Sequence, residues 1–189
     1  MGMHEIIRRW TRDEVLALPE DGNRYELVDG ELLVSPSPRG LHQRAVLGLF
    51  RLLDSHVTAH RLGAVCVSPA DLDLGSGQLV QPDLFVGAPV DGQEPVDWEE
   101  FGIPVLVVEV LSPSTAGVDR LTKRRRYQRS GVPIYWIVDI EARTVEVWTP
   151  EAVAPVMVDG ALTWVPPGSN AVLEIDLPAY FRRVWQERY

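Results

Sequence analysis

The chain has 189 residues, 46% of them hydrophobic and 24% charged, a composition that excludes overall disorder. No apolar run approaches the roughly 20 residues of a membrane span, and the opening residues Met1 to Trp10 are polar, so a cytoplasmic protein with no membrane partner is expected. Cys66 is the only cysteine, which excludes an internal disulfide and a cysteine-rich metal site. The net charge of −9 argues against a surface that is basic throughout.

Trp10 to Pro19 reads as a short helix, with Thr11 as N-cap, Glu14 completing a capping box and Pro19 as the stop. Tyr25–Val28 and Glu31–Val34 flank Asp29-Gly30, a strong hairpin signal. Ser35-Pro36-Ser37-Pro38-Arg39-Gly40 is a loop. From Leu41 to about His60, Leu41, Ala45, Leu49, Leu52, Leu53 and Val57 recur at helical spacing, which predicts a long amphipathic helix. Short strands are expected over Ala64–Val67, Ala70–Leu74 and Val80–Val86, the last carrying Asp83 near its start. Asp91 to Gly102 reads as an acidic loop.

Val105 to Leu111 is an almost unbroken apolar run that closes in Ser112-Pro113-Ser114-Thr115. Such a run reads as a strand buried on both faces. Its one carboxylate, Glu109, needs a cationic or metal partner there. A helix over about Val118–Ser130 follows, and in it Arg120, Lys123, Arg124, Arg125, Arg126 and Arg129 place six basic residues within ten, with no acidic one between. Strands over Ile134–Asp139 and Thr144–Trp148, a hairpin of Val156–Val158 and Ala161–Val165 over Asp159-Gly160, and a closing helix over Ala179–Glu187 complete the order. The expected fold is a single domain of mixed α/β (α+β) class, a central mixed sheet flanked by helices with extra β-hairpins.

Asp83 and Glu109 are the candidates for chemistry. A carboxylate pair at one end of a sheet suits a hard divalent cation, since Mg²⁺ takes one or two protein carboxylates and completes its shell with water and phosphate oxygens. Glu26, between Tyr25 and Leu27, is a third carboxylate that could supply a ligand or hold a water. Lys123 forms either an i,i+4 pair with Asp119 or a cation turned toward the carboxylates. Tyr127, four residues further, is expected to pack on the sheet. His42 has no metal-ligand spacing to the other histidines, and Ser112, Ser114 and Thr115 lack a nucleophile elbow, so helix capping is their expected role.

Together, Tyr25-Glu26-Leu27-Val28-Asp29-Gly30, His42-Gln43-Arg44, Pro82-Asp83-Leu84, Val107-Val108-Glu109-Val110-Leu111-Ser112-Pro113, Lys123 and Gly131-Val132-Pro133-Ile134-Tyr135-Trp136 resemble the Uma-two-like restriction endonucleases of the PD-(D/E)XK superfamily. The likeness runs from about Thr11 to about Phe181. It implies a restriction-endonuclease-like core and a Mg²⁺-dependent endonuclease acting on DNA, with Mn²⁺ as a possible substitute and a homodimer as a possible assembly. The residues that carry over are Asp83 and Glu109 as metal ligands, Glu26 as the upstream acid, and Lys123. The orthodox motif has a lysine two positions after the acid, where this chain has Leu111; the resemblance implies that Lys123, on the following helix, supplies it. With DNA as partner, Arg120, Arg124 and Arg125 become candidate phosphate contacts. Two other readings compete: a nuclease-fold module that binds without turnover, and a hydrolase of another phosphate ester.

Overall fold

The computed structural model describes residues 8–75, 77–90, 92–95 and 100–187. Helix α1 (Arg12–Leu16) begins with the expected reciprocal cap between Thr11 and Glu14 and ends one turn before Pro19. Strands β1 (Arg24–Val28) and β2 (Glu31–Ser35) pair antiparallel across Asp29 and Gly30, whose φ values of 52° and 82° are those of a two-residue hairpin turn. Helix α2 (Gly40–His60) follows the predicted spacing and buries Ala45, Val46, Leu49, Leu53 and Val57.

Six strands form the central sheet in the order β3 (Ala64–Val67), β4 (Leu84–Gly87), β5 (Leu106–Val110), β6 (Tyr135–Asp139), β7 (Thr144–Trp148) and β8 (Val156–Val158). The β5–β6 pair is parallel and every other pair is antiparallel, so the sheet is mixed as expected. The parallel pair is joined by α3 (Ala116–Val118), a π-helical turn (Asp119–Lys123) and α4 (Arg124–Arg129), which run on as one helix.

The two-residue period of β5 sorts its side chains between two cores. Leu106, Val108 and Val110 join the cluster built on α2 and α5 (Leu177–Trp185), while Val107 joins the cluster that holds Tyr127 of α4. Glu109 shares the face of Val107, so the strand's one carboxylate is turned toward the α3–α4 helix. Trp164, Tyr180 and Phe181 are buried in the first cluster, as core rather than surface.

Several local expectations are corrected. Val156–Val158 and Ala161–Val165 do not pair over Asp159-Gly160: β8 adds to β7, and β9 (Ala161–Trp164) pairs with β10 (Leu173–Asp176), a strand the sequence reading did not contain. Ala70–Leu74 is an irregular segment tied to Val80 by a single bridge at Leu72, and β4 starts only at Leu84, which leaves Asp83 just ahead of the strand. The closing helix spans Leu177–Trp185 and is capped by Asp176. The acidic loop of Asp91 to Gly102 falls partly outside the described residues. Among the described residues no helix is long and apolar enough to cross a membrane.

Candidate active site

The antiparallel register Leu84↔Val108 sets Asp83 beside Glu109 at one end of the sheet. The Asp83 backbone N–H points at Glu109 Oε2 at 3.4 Å, and the Val110 N–H donates to Asp83 Oδ2 at 2.8 Å. Glu26 arrives from β1 and accepts from the Gln81 N–H at 2.8 Å. Asp83, Glu109 and Glu26 are 4%, 2% and 1% exposed.

Lys123 closes the group. Its Nζ donates to Glu26 Oε2 at 2.8 Å and Glu109 Oε1 at 2.9 Å, and lies 3.8 Å from Asp119 Oδ1. Lys123 is thus turned inward to the carboxylates, and Asp119 is its buried i,i+4 neighbour rather than half of a surface pair. The π-turn explains how. In a regular α-helix residues four apart advance by slightly more than one turn, so positions 119, 123 and 127 would drift around the axis. The i→i+5 bond from the Arg124 N–H to the Asp119 carbonyl widens one turn and counteracts that drift. Asp119, Lys123 and Tyr127 all become buried on the site's side, while Leu121 and Arg125 stay exposed.

Three partners were not foreseen. Arg24 donates from both terminal nitrogens to Asp83 Oδ1 at 3.0 Å, and His42 Nε2 sits 3.0 Å from both Asp83 Oδ2 and the Val110 carbonyl. Tyr127, expected only to pack, also donates its hydroxyl to Glu109 Oε1 at 3.0 Å. Signals existed: Arg24 and Glu26 share one face of a strand, and Tyr127 lies one turn from Lys123. The expected capping by the Ser-Pro loop is not formed. Thr115 is the N-cap of α3 without a side-chain cap bond, and the Ser112 hydroxyl lies 3.0 Å from those of Ser114 and Thr115.

The charges divide unevenly. Burial pushes Asp83 upward, but His42, Arg24 and the Val110 N–H outweigh it and hold the carboxyl at about 2. Burial pushes Glu109 well above the usual carboxylate range; Lys123 opposes this, while Asp83, Asp119 and Glu26 add to it. Burial likewise lifts Asp119 to about 6. Burial works against the Lys123 charge, yet Glu109, Glu26 and Asp119 raise its pKa above the ordinary lysine value, so the ammonium keeps its proton. An upward shift on both partners of the Lys123–Glu109 pair has one consistent meaning: several carboxylates compete for one cation.

Arg120 bonds Glu146 Oε1 at 2.6 Å and Asp139 Oδ2 at 3.1 Å. Arg124 lies over the Trp148 ring and donates to Gln128 and the Arg120 carbonyl. Arg125 is exposed beside a shallow cavity formed with Gln128, Arg129 and Pro150. A cleft of about 560 Å³ opens over Asp83, Glu109 and Lys123, walled by the loops Ser35–Arg39 and Ser112–Thr115.

Residues 12–178 match the family model Uma2, described as "Putative restriction endonuclease". The chain belongs to the Uma2 family. Restriction-endonuclease-like families generally use divalent metal ions. A crystal structure described as "a putative nuclease belonging to DUF820", from Anabaena variabilis ATCC 29413, superposes with a TM-score of 0.76 over 93% of this chain and 99% of that one, at 21% identity. That likeness shows a shared fold. No curated protein matches the chain. Within this Uma2 member, Asp83, Glu109 and Lys123 line one cleft, and Glu26 lies outside that lining, held to Lys123 by an ion pair.

Proposed function

We propose that the protein is a divalent-metal-dependent endonuclease hydrolysing phosphodiester bonds in DNA, with Mg²⁺ as the working ion and Mn²⁺ as a substitute. The observation that carries this reading is the meeting of Asp83, Glu109 and Lys123 at the floor of one cleft in a member of a restriction-endonuclease family. Among the described residues no three His, Cys, Asp or Glu side chains close on one point. Two carboxylates are nevertheless what Mg²⁺ takes from a protein when water and phosphate complete its shell. Among the described residues Glu109 Oε2 accepts only the long 3.4 Å contact from the Asp83 N–H, and Glu109 lines the cleft. Charge supports the fit as well: among the described residues Glu26, Asp83, Glu109 and Asp119 pair with two permanent cations, Arg24 and Lys123. A dication relieves that excess.

Asp83 and Glu109 would hold the ion, with Arg24 and His42 fixing one carboxylate and Tyr127 the other. A bound divalent ion lowers the pKa of a water and stabilises charge on the phosphodiester. Lys123, anchored by Glu26, is positioned to donate toward the attacking water or the charge that develops on phosphorus-bound oxygen. The orthodox lysine would rise from the Leu111 position of the strand; a lysine on the helix reaches the same carboxylate because its stem is long and flexible.

The test is cleavage of plasmid DNA with Mg²⁺ or Mn²⁺ by wild type, Asp83→Ala and Glu109→Ala. Wild type should nick and linearise in a metal-dependent way while both variants fall to background. Equal cleavage by all three, or metal binding without any cleavage, overturns the enzyme reading in favour of a binding module.

A further inference from the structure

Resting on the nuclease reading above, we infer that the cleft takes a single DNA strand, without regard to base sequence, threaded between the two Ser-Pro loops with Arg39 on a phosphate. The first argument is access. The carboxylates lie at the cleft floor, 4% and 2% exposed, beneath the two Ser-Pro loops that wall the cleft. A stiff duplex brings a phosphate to that floor only as far as its second strand clears the loop walls. A flexible single strand can bend its backbone down to it.

The second argument is charge. Duplex binders neutralise several phosphates at once. Around this cleft Arg24, Lys123 and Arg120 are already engaged by Asp83, by Glu26 and Glu109, and by Asp139 and Glu146. Asp139 and Glu141 line it too. Arg39, exposed at the start of α2, is the one cleft cation with no carboxylate within ion-pair distance among the described residues. That suffices for one phosphate, not for a duplex face.

The third argument is the lining. Pro36, Pro38 and Pro113 alternate with serine hydroxyls; among the described residues the cleft holds no Asn or Gln, and its one aromatic ring, His42, is engaged by Asp83. Hydroxyls and an arginine suit sugar and phosphate; amide pairs that read adenine are missing. Without stacking platforms, affinity should come from the backbone and fall with salt.

The experiment uses the full chain and a labelled oligonucleotide of about 16 nucleotides, single-stranded or annealed to its complement. Binding is followed by anisotropy in Ca²⁺ and cleavage in Mg²⁺ and Mn²⁺, with several base compositions. The single strand should be cut at least about tenfold faster than the duplex and should bind more tightly, with little dependence on composition. Arg39→Ala should weaken single-strand binding and lower the slope of log K against log salt by about 0.7, one contact's share. Arg51→Ala, an equal charge loss on an exposed part of α2 away from the cleft, should leave the slope unchanged. Equal or preferred binding of the duplex, or an unchanged slope in Arg39→Ala, overturns the inference. Absence of cleavage with every ion would instead sink the nuclease reading, while the anisotropy arms still decide which form of DNA the cleft takes.

Discussion

Asp83 and Glu109 are neighbours across two paired strands, yet their surroundings are opposite. Asp83 is held by two nitrogens of Arg24, by His42 and by a backbone N–H, and stays ionised down to about pH 2. Glu109 shares the single ammonium of Lys123 with Glu26 and Asp119, and its carboxyl lies well above the usual range because burial is incompletely offset. One half of the site is matched in charge and fully hydrogen-bonded; the other is short of positive charge. The lesson is that the starved half is where a cation or a proton is wanted, so the two halves should answer oppositely to the same kind of change.

The largest effect should come from Lys123→Met. It leaves Glu26, Glu109 and Asp119 buried with no shared counter-charge, and urea unfolding should show a loss of about 3–5 kcal/mol. Cleavage should fall by about 10²–10³-fold beyond any effect of stability. Next comes a paired neutralisation. Asp83→Asn removes the charged acceptor of Arg24 and His42 and should destabilise the metal-free protein by about 2 kcal/mol. Glu109→Gln removes one competitor for Lys123 and should stabilise it by about 1 kcal/mol, while abolishing the rise in Tm on adding Mg²⁺. Shifts of the same sign in both variants would break the contrast.

The smallest effect is a pH slope. Asp119 binds its proton more tightly folded than unfolded, with a folded pKa of about 6. Between the ordinary aspartate value and pH 6 the folded state therefore holds more protons, and the contribution of this residue to stability falls as pH rises through that window. Asp83 runs the other way: its contribution is present above the ordinary aspartate value and is lost as pH falls toward 2. In Asp119→Asn the decline between about pH 4 and 6 should flatten, and an unchanged profile would remove Asp119 from the charge-starved cluster.

Much of this site was legible in sequence because its signals are local. A lone carboxylate in the run Val105–Leu111 demanded a partner, Pro82-Asp83 supplied a second, and Lys123 stood out on the following helix. What stayed hidden arises from long-range register. Arg24 meets Asp83 only because the β1–β2 hairpin docks beside the segment ahead of β4, and His42 reaches Asp83 only because α2 begins at the end of β5 where Val110 ends the strand. The Asp159-Gly160 signal was misleading for a related reason: its flanking strands found better partners in β7 and β10 than in each other.

The sequence by itself determined most of the elements that carry the candidate residues, since hydrophobic period, capping residues and turn residues act within a few positions along the chain. It also determined that Glu109 would be buried, because the flanking residues leave that strand no polar face. Only the tertiary structure decided how the charges are shared. Ion pairing depends on distances of a few ångströms between segments far apart in the chain, 59 residues for Arg24 and Asp83 and more for Glu26 and Lys123, and on a single π-turn that keeps Asp119, Lys123 and Tyr127 on one face.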